Sequence, residues 1–198
     1  MGGPFLKKLI TRRRKIIRLK EYDYSSSGAY FVTICTHNKE NVFGKIVDGE
    51  VHLSDVGEIA HKCWIEIPNH FYYVNSDVHV IMPNHVHSII IINKKEDIPG
   101  DNFTRKDIQL NVPTEKIKIN VSAISAKISP RQGTLSVIVR TYKAAVTTEC
   151  RRYGYSNFLW QSRFYEHIIR DERDYRNIQE YIPNNPLQWS FDKENPLR

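Results

Sequence analysis

The stretch VHVIMPNHVHSIIII, residues 78–92, decides the reading of this chain. Two runs rich in β-branched residues flank Pro83 and Asn84, a pair that breaks strands and makes turns, so the segment reads as a β-hairpin. Side chains on a strand alternate between faces, and residues two apart point the same way. His85 and His87, which open the second strand, therefore present two imidazoles to one side. That is half of a metal site. Imidazole nitrogen binds many divalent ions, so the pair alone identifies neither the metal nor the remaining ligands.

Outward from the hairpin, AYFVTICTH (29–37) mixes aromatic and β-branched residues and reads as a buried strand, with a turn around Asn38 to Asn41. Ser54 is placed to cap a helix over residues 55–67, where Val56, Ile59, Ala60, Cys63, Trp64 and Ile67 recur at helical spacing and Pro68 is expected to stop it. A second helix is predicted over residues 135–154, with Leu135, Ile138, Val139, Tyr142 and Val146 as its apolar stripe. Residues 158–170 read as extended, and Asp171 offers an N-cap to a last helix whose stripe is Tyr175, Ile178 and Ile182. At about 100° per residue, Tyr181 falls roughly 60° from Ile178, at the border between stripe and solvent. The alternation of strands and helices around a hairpin predicts an α+β fold, an antiparallel sheet with helices packed on one side.

A chain of 198 residues with 40% hydrophobic content suits one domain with a substantial core. Its 29 basic residues outnumber 22 acidic ones, and eight of the basic residues, with no acid among them, lie within residues 7–20. Without those eight the charges balance. Residues 1–20 are thus expected to be a basic arm suited to phosphates, residues 21–190 a single domain, and 191–198 a tail. Within the domain, residues of about 93–133 are polar, lack a helical period and read as an insertion. Cys35, Cys63 and Cys150 are widely spaced and form no metal motif, as in a reducing cytoplasm. Apolar runs such as Ile89 to Ile92 are far too short to cross a bilayer, and a soluble, cytoplasmic protein without a membrane partner is expected.

Four segments taken together, YFVTICTHNKENVFG (30–44), the hairpin (78–92), WQSRFYEHIIRDERDY (160–175) and EYIPNNPLQW (180–189), resemble the single-tyrosine transposases of the His-hydrophobic-His class. Within that class the resemblance is to the REP-associated tyrosine transposases, and it covers roughly residues 16–190. It implies the ferredoxin-like or RRM-like sheet of that nuclease class, a divalent metal, Mg2+ or Mn2+, on His85 and His87, and Tyr181 as nucleophile. The polar residue four positions after the tyrosine, which completes the metal site in relatives, matches Asn185. Pro183 intervenes, so the helix is expected to kink or end near Tyr181. Gln179, Glu166 and His167 therefore stay open as third ligands.

The resemblance further implies cutting and joining of single-stranded DNA at hairpin-forming palindromes through a 5′-phosphotyrosine, by a monomer or homodimer associated with the nucleoid. Arg12, Arg13, Arg14, Lys15, Arg18 and Lys20 of the arm would track phosphates, together with Arg140, Lys143, Arg163 and Arg170 of the domain. Phe164 and Tyr165 are candidates for base stacking. The chemistry is consistent, since a phenol with a pKa of about 10 is a weak nucleophile and a phosphodiester anion repels it unless the site supplies positive charge. Two other readings stay open: a non-catalytic binder of DNA or RNA hairpins, and a replication-initiator or relaxase relative sharing the same residues. A metallohydrolase barrel typically needs about 250 residues and fits poorly.

Overall fold

Gly28–Cys35, the run of aromatic and β-branched residues, forms strand β1, around which the other elements are arranged. In this computed structural model, which describes Tyr24 and residues 26–93 and 133–196, β1 is followed by the hairpin of β2 (Gly44–Val47) and β3 (Glu50–Leu53). Next come helix α1 (Asp55–Ile65), the single-turn helix α2 (Ile67–His70) and the hairpin of β4 (Val74–Ile81) and β5 (His85–Ile92). Helix α3 (Leu135–Arg152), strand β6 (Tyr165–Ile169), helix α4 (Glu172–Asn184) and a 3-10 helix (Pro186–Phe191) complete the order. The basic arm, and all of the proposed insertion beyond Asn93 up to Gly133, lie outside the described residues.

The main sheet runs β4-β5-β1-β6 with every neighbour antiparallel. With the β2–β3 hairpin set aside, the succession strand, helix, strand, strand, helix, strand is the ferredoxin-like α+β arrangement. Period-two alternation divides β1 between two cores. Tyr30, Val32 and Ile34 pack with Val86, Ile90 and Ile92 of β5 beneath α1 and α3, which cover one side of the sheet as expected. Phe31 and Ile89 face the other side, where Ile182 of α4 is wholly buried among them with Ile178 and Tyr175 at its edge. Burying one such aliphatic side chain contributes about 2 kcal/mol, enough to hold α4 against this face. His85 and His87 share the parity of Ile89, so the same alternation delivers them under α4.

Local chemistry explains where elements differ from expectation. Ser54 caps α1 by accepting from the backbone of Gly57, but Pro68 does not end that helix. The helix closes at Ile65, and Pro68 lies in the first turn of α2, where a missing N–H costs nothing. The β2–β3 hairpin, absent from the sequence reading, turns on Asp48 and Gly49, both at positive φ, an Asp-Gly signal for a tight hairpin turn. Gly57 has its own reason: a Cβ there would collide with the carbonyl of Phe43. Of the extended segment 158–170, only Tyr165–Ile169 enters the main sheet, and Trp160 makes a single bridge to Thr36. No helix among the described residues is long and apolar enough to cross a membrane.

Candidate active site

His85 and His87 are at most 1% exposed, and hydrogen bonds hold each ring. Asn84 donates through Nδ2 to the carbonyls of Lys39 (3.0 Å) and Glu194 (2.8 Å), which directs its Oδ1 to Nδ1 of His85 at 2.8 Å. An amide oxygen only accepts, so the proton sits on Nδ1 of His85 and its Nε2 carries a lone pair. That Nε2 is buried and has no partner. His87 is held through Nδ1 by Thr33 Oγ1 at 2.9 Å, its cross-strand neighbour on β1, and turns Nε2 toward Tyr181 Oη at 3.4 Å. Burial lowers the pKa of His85 to about 3, with Lys193 and Lys39 adding to the effect. Burial, and then the neighbouring His85, pushes His87 well down too. Both rings are neutral at physiological pH, the form in which imidazole binds metal.

Tyr181 comes from α4, which Asp171 caps by accepting from the backbone of Asp174 at 2.8 Å. The helix runs through Pro183 to Asn184, and Asn185 keeps helical angles (φ −60°, ψ −38°) before the chain tightens into the 3-10 helix. The expected end near Tyr181 does not occur. Asn185 therefore lies one turn from Tyr181 on the same face and donates through Nδ2 to Tyr181 Oη (2.9 Å) and to Asp192 Oδ2 (2.8 Å). Its Oδ1 is buried without a partner. Asp192, itself buried, also accepts from Tyr181 Oη at 3.4 Å. Tyr181 is 36% exposed, at the border the helical angle predicts. Its phenol is raised to about 12, by burial first and then by the charge of Asp192.

No protein-family model matches the chain. An uncharacterized protein of Haemophilus influenzae is 42% identical over 183 residues, spanning 91% of this chain and 92% of that protein. The REP-associated tyrosine transposase of Escherichia coli K12 is 40% identical over 55 residues, 28% of this chain and 31% of its own length. Among solved structures, a REP-associated tyrosine transposase bound to a REP hairpin superposes with a TM-score of 0.53 at 20% identity, covering 88% of this chain and 77% of that one. That likeness establishes the fold. In fold, and in sequence over part of its length, the chain is similar to REP-associated tyrosine transposases.

In this chain, ligand atoms of His85, His87 and Asp192 lie within 4.8 Å of one another, and all three residues are buried. A buried polar atom without a partner costs about 1–3 kcal/mol, yet His85 Nε2 and Asn185 Oδ1 are both left so. These two acceptors, with the carboxylate of Asp192 and Nε2 of His87, form a mixed nitrogen and oxygen donor set that suits a divalent ion. Asp192 was missed by sequence reasoning. It lies in the segment read as a tail, beyond Pro186, and no strand or helix period relates it to Tyr181.

The other candidate ligands are engaged elsewhere. Gln179 donates to Asp77 at 3.0 Å, His167 pairs with Asp174 at 2.7 Å, and Glu166 shares the parity of Val32 and so faces the α1 and α3 side. Lys143 donates to the carbonyls of Gln161 (2.7 Å) and Arg163 (3.1 Å), tying down that loop. Arg140, Arg163 and Arg170 are exposed, and the arm residues Arg12, Arg13, Arg14, Lys15, Arg18 and Lys20 lie outside the described residues. Of the stacking candidates, Phe164 packs against the larger core and Tyr165 against the smaller, beside the histidines.

Proposed function

We propose that the protein is a metal-dependent enzyme that nicks and rejoins single-stranded DNA at hairpin-forming palindromes, acting in the cytoplasm at the nucleoid. The observation that carries this reading is the approach of Tyr181 Oη to His87 Nε2, 3.4 Å away, beside the two unpartnered acceptors of His85 and Asn185. His85, His87 and Asp192, with Asn185, would hold Mg2+ or Mn2+. When bound, such an ion acts as a Lewis acid on a phosphate oxygen. Tyr181 Oη gives up its proton as it attacks the phosphorus, the bond to the sugar 3′ oxygen breaks, and that oxygen takes up a proton to become a free 3′-hydroxyl. The phosphate stays joined to Tyr181 as a 5′-phosphotyrosine. Because that ester conserves the bond, the hydroxyl of another strand can reverse the step without ATP. Asn185 orients the phenol through its Nδ2, and Thr33 and Asn84 fix the two imidazoles. The REP hairpin bound to the structural neighbour supports the hairpin substrate proposed.

The test is incubation with single-stranded DNA carrying a short palindromic hairpin and a flank, with Mn2+ or Mg2+, followed by a denaturing gel. A protein-linked DNA band that chelator removes, and that Tyr181→Phe or the double change His85→Ala with His87→Ala abolishes, is expected. Hairpin binding by the wild type without any cleavage would leave the non-catalytic reading in its place.

A further inference from the structure

We propose that Lys193 contacts a phosphate of the DNA strand entering the site, as a cation at its mouth; this rests on the function proposed above. Lys193 directly follows Asp192, and its Nζ stands 4.8 Å from the ring centroid of Tyr165. Tyr165 is paired in register with Thr33, the residue that holds His87, and its ring lies 6.3 Å from that of Phe31. Phe31 in turn is 5.1 Å from the His87 ring. These successive neighbours set the ammonium on the site's own face of the sheet.

Two other cations among the described residues, Lys39 and Lys143, are already committed. Lys39 is paired with Glu194 at 3.0 Å and donates to the carbonyl of Lys193, also at 3.0 Å. Lys143 is bound to two carbonyls. Lys193, by contrast, makes no ion pair among the described residues, and its side chain is exposed. An incoming phosphodiester is repelled by the carboxylate of Asp192, so the ammonium of the next residue, Lys193, offsets part of that repulsion. The Tyr165 ring restrains the long side chain beforehand, which reduces the entropy cost when the ammonium meets phosphate. An ammonium serves phosphate as a point charge with three rotatable donors, a role that arginine can share.

The test uses the full chain with the same hairpin oligonucleotide and Mn2+. Lys193→Ala should lower kcat/KM for cleavage about tenfold or more, and Lys193→Arg should stay within about threefold of wild type. The thermal midpoint should be unchanged, as for an exposed side chain. In a Tyr181→Phe background, which removes cleavage, Lys193→Ala should reduce the salt slope of DNA binding by roughly 0.7, the value for one phosphate no longer neutralised. Equal losses in the alanine and arginine variants, or wild-type cleavage with an unchanged slope, would overturn the proposal. The binding arm is independent of catalysis. If the wild type forms no adduct, the nuclease reading fails while the slope still decides whether Lys193 meets phosphate.

Discussion

Tyr181 and Asn185 meet because α4 stays helical through Pro183, and this sets what each residue does. The amide of Asn185 bonds Tyr181 and Asp192 with its nitrogen and leaves its oxygen buried and free. Asn185→Ala should therefore weaken metal affinity about 10–100-fold, in the range seen for groups that orient a metal site, with DNA binding nearly intact. A titration showing an unchanged metal requirement, with only the thermal midpoint lowered, would make Asn185 a helix cap and nothing more. The histidine pair was legible from its period of two, and Tyr181 was picked out by the resemblance together with its place at the border of the last helix's apolar stripe. Asp192 was not, because only the return of the chain through the 3-10 helix brings it to the site. A second residue-scale consequence concerns His79, which is bonded to His61 at 3.1 Å and whose pKa burial lowers to about 4. The unfolded chain, with histidine near its usual value, binds the proton first, so stability rises with pH across this window. It should fall as pH drops from about 6.5 toward 4. His79→Gln should show a smaller loss of urea midpoint between pH 7 and 5, and an equal loss would contradict the assignment.

Among the elements, α4 matters most, because it carries the proposed nucleophile yet buries only one residue completely. A polar clamp supplements that burial. In β4 the pairing with β5 shifts between Ser76 and His79, and the bulge contains Asp77, whose carboxylate accepts from Tyr175 (2.6 Å) and Gln179 (3.0 Å), one helical turn apart. Asp77→Ala strands both donors at a cost of about 1–2 kcal/mol, so the thermal midpoint should fall by about 2–8 °C. Cleavage should fall with it, since Tyr181 is then less firmly placed. Cleavage at the wild-type rate would show that apolar packing alone positions the helix. The stripe of Tyr175, Ile178 and Ile182 was readable from periodicity, whereas the clamp was not: nothing in the sequence marks a bulge at Asp77. Pro68 and Pro183 show the same limit, since a proline near a helix end can be absorbed by a first turn or a last one, and tertiary packing decides which.

For the whole molecule, the sheet order follows from a pattern the sequence displays openly: a central strand, a hairpin and helices of the right length, with the histidine pair on the parity of Ile89. What the pattern could not show is that the opposite face of the sheet is roofed by α4 and the C-terminal 3-10 helix, which together make the site. Charge is also a property at this scale, since the excess is concentrated in residues 7–20. Deleting residues 1–15 should weaken binding to matched and unmatched single strands alike and make its salt dependence shallower, by roughly 0.7 for each phosphate that the arm neutralises. An unchanged slope in a fluorescence-anisotropy titration would exclude the arm from the phosphate backbone. The most direct measurement is the position of the covalent bond. Trypsin cuts after Arg176 and Lys193 and releases Asn177–Lys193, in which Tyr181 is the only tyrosine. After reaction with hairpin DNA and divalent metal, then nuclease trimming, mass spectrometry should find this peptide carrying a nucleotide phosphate on Tyr181, and find it unmodified in chelator. DNA cut without a modified peptide, or a nucleotide attached to any other residue, would contradict Tyr181 as the nucleophile.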